Sequence, residues 1–290
     1  MLPSPMMSPI PLPSVANHGW PALPDRGCLL MGVLNLTPNS FSDGGSYADL
    51  AEERARALAI AAEGADILDI GGESTHPLAA PISAEEELAR VLPVLDAVAG
   101  HLTLPISIDT YKAVVAEAAL KRGARIVNDV WGLQRDPDMA AVVAAHGAGL
   151  CIMHNRQGFD PDLDVFGEMR RYFDRSLDLA EKAGIARAAI MLDPGIGFGK
   201  TFDQNLMVLD RLEELHDYGL PLLIGCSRKG FIGKVTGRTE PKDRLIGSLA
   251  AHVAAALKGA AVIRAHDIAP HREALAMAAA IRRQRAEPGV

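Results

Sequence analysis

Cysteine is scarce in this sequence: only Cys28, Cys151 and Cys226 occur among its 290 residues. No two of them form a Cys-x-x-Cys pair, and all three lie in apolar runs that predict β-strands. We therefore expect small buried hydrophobic side chains here rather than disulfide partners or metal ligands. This use of cysteine favours a reducing compartment, and we expect a cytoplasmic protein.

Long apolar runs and an excess of positive charge are also missing. No run reaches the roughly 18 uninterrupted apolar residues of a membrane span. The formal net charge of −7 argues against nucleic acid or an anionic membrane as the general partner. The first residues are rich in proline but lack the basic start and apolar stretch of a secretory signal. We expect residues 1–27 to be a flexible Pro-rich lead-in, residues 28–285 one domain, and residues 286–290 a tail.

Several well-known catalytic motifs are absent as well. The glycine-rich segment DPGIGFGKT (Asp193–Thr201) looks like a phosphate loop, but Pro194 stands where the Walker A motif requires its first glycine. The Rossmann fingerprint also fails in this segment. There is no HExxH motif, and no HxH follows the first predicted strand, which disfavours a zinc hydrolase. These absences argue against a P-loop nucleotide hydrolase, a dinucleotide-binding enzyme and a zinc enzyme.

What the sequence does contain is a strand–helix pattern that repeats eight times. Apolar, β-branched runs alternate with Ala/Leu/Glu/Arg-rich stretches of helical spacing. Eight such units close into a (β/α)8 TIM barrel, which needs about 250 residues. The predicted strand runs are Cys28–Asn35, Ala65–Thr75, Leu104–Thr110, Arg125–Asp129, Gly149–His154, Ala188–Gly195, Leu220–Lys229 and Ala260–His266.

Polar residues stand at or near the end of each run. In a TIM barrel the active site lies at the carboxyl ends of the strands, so these residues are predicted to share one rim. The pattern indicates an enzyme. The rim residues are Asn35, Thr75, Asp109, Asn128, His154, Asp193, Lys229, Arg264 and His266.

Three groups on this rim indicate a small-molecule site, each with a plainer alternative. Asn35 carries an amide oxygen that suits Mg²⁺, although the loop after it also reads as an ordinary surface turn. Asp109, Asn128 and Asp193 can accept hydrogen bonds from a heterocycle rich in N–H groups, or can act as helix caps. The basic residues Lys229 and Arg264, with His266, form a cluster suited to a diphosphate, or a solvated charged face. His154 is either a pocket residue or a satisfied core histidine.

Taken together, these segments resemble the dihydropteroate synthase family. The resemblance rests on the motifs GVLNLTPNSFSDGG, DIGGEST, SIDT, VND, MH, LDPGIGFGK, SRKGFIG and RAHD, which occur in this order between about Leu29 and Ala280. The family has a (β/α)8 barrel and is usually homodimeric. Its reaction joins p-aminobenzoate to 6-hydroxymethyl-7,8-dihydropterin diphosphate and releases diphosphate; its members are the targets of sulfonamides, which compete as analogues of p-aminobenzoate.

The resemblance also implies roles for residues of this chain. The pterin would be bound by Asp109, Asn128, Met153, Asp193, Lys229 and Arg264. Mg²⁺ would be held on the diphosphate by Asn35, and the diphosphate itself would be bound by Asn35, His76, Arg264 and His266. The p-aminobenzoate site would be formed by Phe41, Thr75, Phe198 and Arg228. The residues that would carry catalysis are Asn35, Lys229, Arg264 and His266.

Two positions depart from the pattern of most relatives. His76 follows the Ser-Thr pair where arginine is usual, and Gly230 follows Lys229 where some relatives have serine. Histidine titrates near neutrality, so His76 predicts weaker or more pH-dependent diphosphate binding. Two alternatives remain open: a pterin-binding methyltransferase domain, which does not need the Ser-Arg-Lys and Arg-x-His cations, and a non-catalytic paralogue that binds pterin without making product.

Overall fold

Eight parallel strands form one sheet that curves into a barrel. The computed structural model describes residues 18–24, 27–36, 47–74 and 80–286. The strands are β1 Leu29–Asn35, β2 Ile67–Gly71, β3 Ile106–Asp109, β4 Ile126–Asp129, β5 Gly149–Met153, β6 Ile190–Asp193, β7 Leu223–Ile224 and β8 Val262–Ala265. Their order is β6-β5-β4-β3-β2-β1-β8-β7. A single bridge between Leu192 and Leu222 joins β6 to β7 and closes the ring, so the predicted (β/α)8 barrel is confirmed.

Helices follow the strands and cover the outside of the barrel. They are α1 Tyr47–Ala62, α2 Ala84–Val98, α3 Ala113–Lys121, α4 Met139–His146, α5 Val165–Lys182, α6 Phe202–Asp210, α7 Gly230–Thr236, α8 Leu245–Leu257 and α9 Ile268–Ala286. Side-chain caps fix where three of them begin: Ser83 accepts from the backbone of Glu86 at α2, Asp164 accepts from that of Gly167 at α5, and Thr201 and Gln204 form a capping box at α6. Within the described residues, no helix combines the length and apolarity needed to cross a membrane.

Alternation along the strands divides their side chains between two cores. One set points outward and packs under the helices, where it joins the main hydrophobic cluster of the molecule. The other set points into the barrel and forms a separate cluster near the amino ends of the strands. Its strand members are Leu29, Met31, Ile67, Ile126, Cys151, Met191, Leu223 and Val262. The three cysteines are free and buried, as their sequence contexts predicted.

The barrel begins earlier in the chain than the sequence indicated. Residues 18–24 fall in the predicted flexible lead-in, yet Trp20 is fully buried against the interior cluster and Leu23 packs beside it. The Trp20 indole N–H donates to the carbonyl of Ala189 at 2.8 Å, just before β6. A Cβ on Gly149 would lie 2.7 Å from the Trp20 ring, which shows how closely the start of β5 approaches it. This segment therefore closes the amino-terminal end of the barrel.

Candidate active site

Charged and amide side chains occupy the inward positions nearest the carboxyl ends of the strands. Because side chains alternate, the inward position that follows Ile67 on β2 is Asp69, the one after Ile126 on β4 is Asn128, and the one after Val262 on β8 is Arg264. Asp109 and Asp193 end β3 and β6. The strand pattern thus brings residues from distant parts of the sequence to one mouth.

Arg264 connects two of these carboxylates across the mouth. Its Nε donates to Asp69 Oδ2 and its Nη2 to Asp109 Oδ2, both at 2.6 Å. Asn128 Nδ2 donates to the same Asp69 oxygen at 3.2 Å. Burial disfavours the charge of Arg264, but the Asp69 and Asp109 carboxylates outweigh this effect and raise its pKa. Arg264 therefore stays charged in the middle of an acidic cluster.

The same cluster contains oxygen atoms that accept no hydrogen bond from the described residues. Asp69 Oδ1, Asp109 Oδ1 and Asn128 Oδ1 are buried and have no hydrogen-bond partner in the part of the chain that the structure describes. Leaving a buried acceptor unpaired costs about 1–3 kcal/mol. Burial, opposed by Arg264, raises the pKa of Asp109 to about 7. A ligand that presents several N–H donors would satisfy these oxygens.

Asp193 and Lys229 form a second group around the loop between β6 and α6. Asp193 Oδ1 accepts from the backbone N–H of Gly195 at 2.7 Å. The Lys229 ammonium donates to the carbonyl of Ile196 and lies 4.6 Å from the centre of the Phe198 ring. Burial raises the pKa of Asp193 and lowers that of Lys229, and the attraction between the two groups opposes both shifts. A carboxylate, an ammonium and an aromatic face are thus presented together.

The residues that follow β7 and β8 are bonded to each other. His266 Nδ1 lies 3.0 Å from the Ser227 hydroxyl, and Arg228 Nε lies 3.0 Å from Asp267 Oδ2. Burial and the nearby Arg264 lower the pKa of His266 to about 3, so His266 is neutral and can offer an N–H or a lone pair but not a charge. The expectation that Arg228 lines the p-aminobenzoate site stays a prediction, since its guanidinium is paired with Asp267.

A cavity of about 460 Å³ opens at this mouth. Its volume falls in the range of about 300–1,000 Å³ that is usual for small-molecule sites. It extends from Asp109 to Phe198 and is also lined by Tyr111, Trp131 and Arg135. A larger cavity, of about 720 Å³, lies among the connections that lead into β3, β4 and β5, and none of the predicted site residues line it. Of the two cavities, only the smaller one is lined by predicted site residues, Asp109 and Phe198.

The structure gathers most of the predicted site residues. Asp109, Asn128 and Arg264 share one bonded cluster, Asp193 and Lys229 lie within electrostatic reach of it, and Met153 is buried in register with Asp193. Asn35 ends β1 in register with Gly71. The predictions for Phe41, Thr75 and His76 lie outside the described residues.

Asp69 was missed by the sequence reasoning. It stands inside a predicted strand rather than at its end, and a carboxylate in an otherwise apolar strand was the available signal. Lys200 was missed too: its ammonium is buried and contacts His154 Nδ1 at 2.7 Å. His154 in turn bonds Glu168 through Nε2. Of the two interpretations of His154, the structure favours a buried histidine with all its partners inside the protein.

The amino-acid sequence of this chain is similar to those of known pterin-binding enzymes. Residues 31–266 match the family model described as "Pterin binding enzyme". The chain is 44% identical over 245 residues to dihydropteroate synthase from Synechocystis, covering 82% of this chain and 85% of the relative.

Two solved structures extend the comparison. The chain superposes on dihydropteroate synthase from Clostridium difficile, determined in the presence of pteroic acid, with a TM-score of 0.85 and 47% identity over 88% of this chain and 96% of that one. It superposes on the Xanthomonas albilineans enzyme with 4-aminobenzoic acid with a TM-score of 0.87 and 39% identity, covering 97% and 100% of the two chains.

Proposed function

The chain belongs to the pterin-binding enzymes and, among them, to the dihydropteroate synthase family, and from this we propose the reaction that takes place at its barrel mouth. It condenses p-aminobenzoate with 6-hydroxymethyl-7,8-dihydropterin diphosphate to give 7,8-dihydropteroate and diphosphate. The observation that carries the assignment to this mouth is the set of buried, unpaired acceptors on Asp69, Asp109 and Asn128 beside Arg264. A pterin ring, with its amino group and ring N–H groups, supplies the missing donors.

The pterin is held by groups on opposite sides of the mouth. Asp109, Asn128 and Asp193 accept from its N–H groups, and Lys229 donates to its carbonyl and ring nitrogen. Arg264 covers the ring face, and Met153 supplies an apolar contact. Asp109 must be ionised to accept two donors, so binding competes with the proton that burial retains on it near neutral pH. This makes pterin affinity dependent on pH.

The reaction requires stabilisation of a leaving group more than a strong base. Diphosphate departs from the pterin methylene with the bonding electrons, the aniline nitrogen of p-aminobenzoate adds to the carbon, and that nitrogen then loses a proton to water. Arg264, His266 and His76 bind the diphosphate, the last two through N–H groups. Holding the amine in line and stabilising the departing charge are the main sources of the rate. Phe198, with Phe41, Thr75 and Arg228, forms the p-aminobenzoate site, where we expect sulfonamides to compete.

Mg²⁺ fits the donors that this chain offers. Among the described residues, no group of three or more His, Cys, Asp or Glu side chains could hold a metal ion. Asn35, at the end of β1, offers one neutral amide oxygen instead. Mg²⁺ typically keeps several waters and is bound through few protein ligands together with substrate phosphates. When bound, the ion would neutralise charge on the diphosphate, and Asn35 would hold it at the mouth.

A homodimer in the cytoplasm completes the proposal. Large apolar side chains are exposed on neighbouring helices: Ile246 on α8 is 80% exposed, and Met277 on α9 is 62% exposed. These helices pack against each other, so their apolar residues can form a single patch that a second copy would cover. Measuring the mass of the protein in solution tests this part of the proposal.

The activity is tested with purified protein, Mg²⁺ and both substrates. We expect release of diphosphate that depends on p-aminobenzoate, and we expect the gene to restore growth of a folate-deficient host that uses p-aminobenzoate. Arginine in place of His76 should be tolerated in that host. Pterin binding without diphosphate release would instead identify a non-catalytic paralogue. Methyl transfer to a corrinoid protein would identify the methyltransferase class.

A further inference from the structure

The loop between β6 and α6 contains a buried lysine, whose side chain bonds the backbone of the same loop. Lys200 is 2% exposed, and its ammonium donates to the carbonyls of Gly195 at 2.9 Å and Phe198 at 3.3 Å. Its third contact is His154 Nδ1, at 2.7 Å. All three protons of the ammonium therefore have acceptors, which a buried cation requires.

Burial lowers the pKa of Lys200 to about 7, although the charges of Asp193 and Glu168 oppose this shift, so the amine is an ammonium below about pH 7. An ammonium can only donate, so His154 Nδ1 must be an acceptor and His154 Nε2 carries the proton that bonds Glu168. Burial lowers the pKa of His154 to about 4, so the ring stays neutral. Burial would raise the pKa of Glu168, but its bond to His154 and the charge of Lys200 lower it. The Glu168 carboxylate thus balances the buried ammonium through a neutral imidazole.

The loop held by this cluster carries groups that face the mouth. Ile196 accepts from Lys229, and the Phe198 ring lies under the same ammonium. The backbone of this loop is in the left-handed region at Gly195 and Gly199, a conformation that neither strands nor α-helices contain. The regular hydrogen bonds of a strand or a helix therefore do not hold the loop in place. Asn205 holds the loop from the side of α6, where its Oδ1 accepts from Gly197 N at 2.6 Å. Lys200 bonds the carbonyls of Gly195 and Phe198, and the Gly195 carbonyl also accepts from the backbone N–H of Phe198 at 3.0 Å.

We propose that Lys200, supported by His154 and Glu168, is a positioning residue that sets the conformation of residues 194–199 and thereby the Phe198 wall of the p-aminobenzoate site. The proposal rests on the function proposed above. Lys200 touches no substrate, and it acts through the backbone carbonyls of Gly195 and Phe198. Most of the proposed pterin contacts, namely Asp109, Asn128, Asp193 and Arg264, lie on the strands, whereas Phe198 lies in the loop. A change at Lys200 should therefore affect p-aminobenzoate more than pterin.

The test compares Lys200→Met with the wild-type enzyme. Hydrogen bonds to a charged group are the stronger kind, so we expect the KM for p-aminobenzoate to rise about tenfold. We expect the dissociation constant for the pterin substrate to change less than about twofold and kcat less than about threefold. Lys258→Met is the matched control, because its ammonium also bonds a backbone carbonyl, that of Asp210, but away from the mouth. It should alter neither constant.

Hydrogen exchange of the unliganded proteins gives a readout that needs no reaction. Amides of residues 195–200 should exchange at least about tenfold faster in Lys200→Met than in the wild type, as expected when a local opening loses a charged hydrogen bond. If the wild type does not use p-aminobenzoate, the proposed function fails, and this readout alone decides the role of Lys200. Unchanged exchange, or an equal loss of affinity for both substrates, would overturn the proposal.

A second variant covers the case in which Lys200→Met does not fold. Glu168→Gln keeps an acceptor for His154 but removes the balancing charge. We expect it to raise the KM for p-aminobenzoate about threefold, with faster exchange in the same loop. A Glu168→Gln enzyme with wild-type exchange and wild-type KM would contradict the role assigned to the cluster.

Discussion

The two ends of the barrel interior are lined by different kinds of side chain, apolar at one end and polar or charged at the other. At the amino-terminal end, Trp20 and the inward apolar residues form a closed cluster, and the indole N–H of Trp20 is satisfied by Ala189. At the mouth, the inward residues of the same strands are carboxylates, an amide and cations, and Asp69, Asp109 and Asn128 each keep a buried oxygen without a partner in the described chain. On β2 and β4 the two environments occupy successive inward positions, with one residue between Ile67 and Asp69 and one between Ile126 and Asn128.

Because of this difference, we expect the closed end to contribute mainly to stability and the mouth mainly to function. Buried apolar surface stabilises the closed end, and any unpaired polar group there would only reduce the free energy of unfolding. The mouth carries costs that make sense only if a ligand removes them, because unpaired acceptors and crowded carboxylates destabilise the empty protein. Substitutions at the two ends should therefore affect different measurements.

The largest effect is expected at the closed end, on stability. Trp20→Ala removes the largest side chain of the interior cluster, and large-to-small changes of this kind cost about 3–5 kcal/mol of unfolding free energy. The KM values of the folded fraction should stay unchanged. Chemical denaturation followed by circular dichroism measures the first quantity, and initial rates measure the second.

The sequence provides its own control in its second tryptophan. Trp131 lines the mouth cavity, with the guanidinium of Arg135 5.1 Å from its ring. Trp131→Ala should reduce the unfolding free energy by only about 1 kcal/mol, since its ring is partly exposed. If both tryptophan variants lost stability and activity to the same extent, the separation between the two ends would be wrong.

The next largest effect is expected at the mouth, on catalysis. Lys229→Ala removes the ammonium proposed to bind the pterin, and we expect loss of one such electrostatic donor to reduce kcat/KM by about 10²–10³-fold. Stability should not decrease, because burial already disfavours this charge and lowers its pKa. Lys234 is an exposed lysine on α7, the helix that follows Lys229, and Lys234→Ala should leave both quantities unchanged. A Lys229→Ala enzyme of normal activity would remove Lys229 from the pterin site.

The sequence was sufficient for the architecture and for the residues at strand ends. Apolar runs of regular spacing predicted all eight strands, and Asp109, Asn128, Asp193 and Arg264 were found because each stands within two residues of the end of its run. Boundaries were less well predicted. The run Leu220–Lys229 contains only two residues of strand, Leu223–Ile224, and α7 was not expected. The strand propensity of a segment does not show at which residue it stops pairing with the neighbouring strand of the sheet.

The contacts that the sequence could not supply are those that join distant segments. The bond from Arg264 to Asp69 spans 195 residues, and that from Lys200 to His154 spans 46. Neither can be inferred without knowing which inward positions share a layer of the barrel. The burial of Trp20 was not predicted either. A proline-rich composition indicates a flexible segment, and it does not show that a single large side chain packs into the barrel.

The smallest effect that distinguishes the two ends is a dependence on pH. The pKa of Asp109 is about 7 in the folded protein, above the value near 3.9 of an unfolded chain. The folded state therefore binds the extra proton, and this group's contribution to stability is present below pH 4 and is lost as pH rises through 7. We expect pterin binding to have the opposite dependence, because in the proposed complex the ionised Asp109 carboxylate accepts the N–H groups of the pterin. Between pH 6 and 8 we expect pterin affinity to rise about tenfold while this contribution to stability declines.

Asp109→Asn should flatten both dependences, as measured by calorimetric titration of the pterin and by urea unfolding at each pH. Asp129 is the matched control: burial raises its pKa to about 6, but it accepts from the backbone of Trp131 and Leu133. Asp129→Asn should reduce stability and leave the pH dependence of pterin affinity in place. If Asp109→Asn kept that dependence, the proton competing with the pterin would belong to another group. Asp193, whose pKa burial also raises, would then be the first to replace in the same titration.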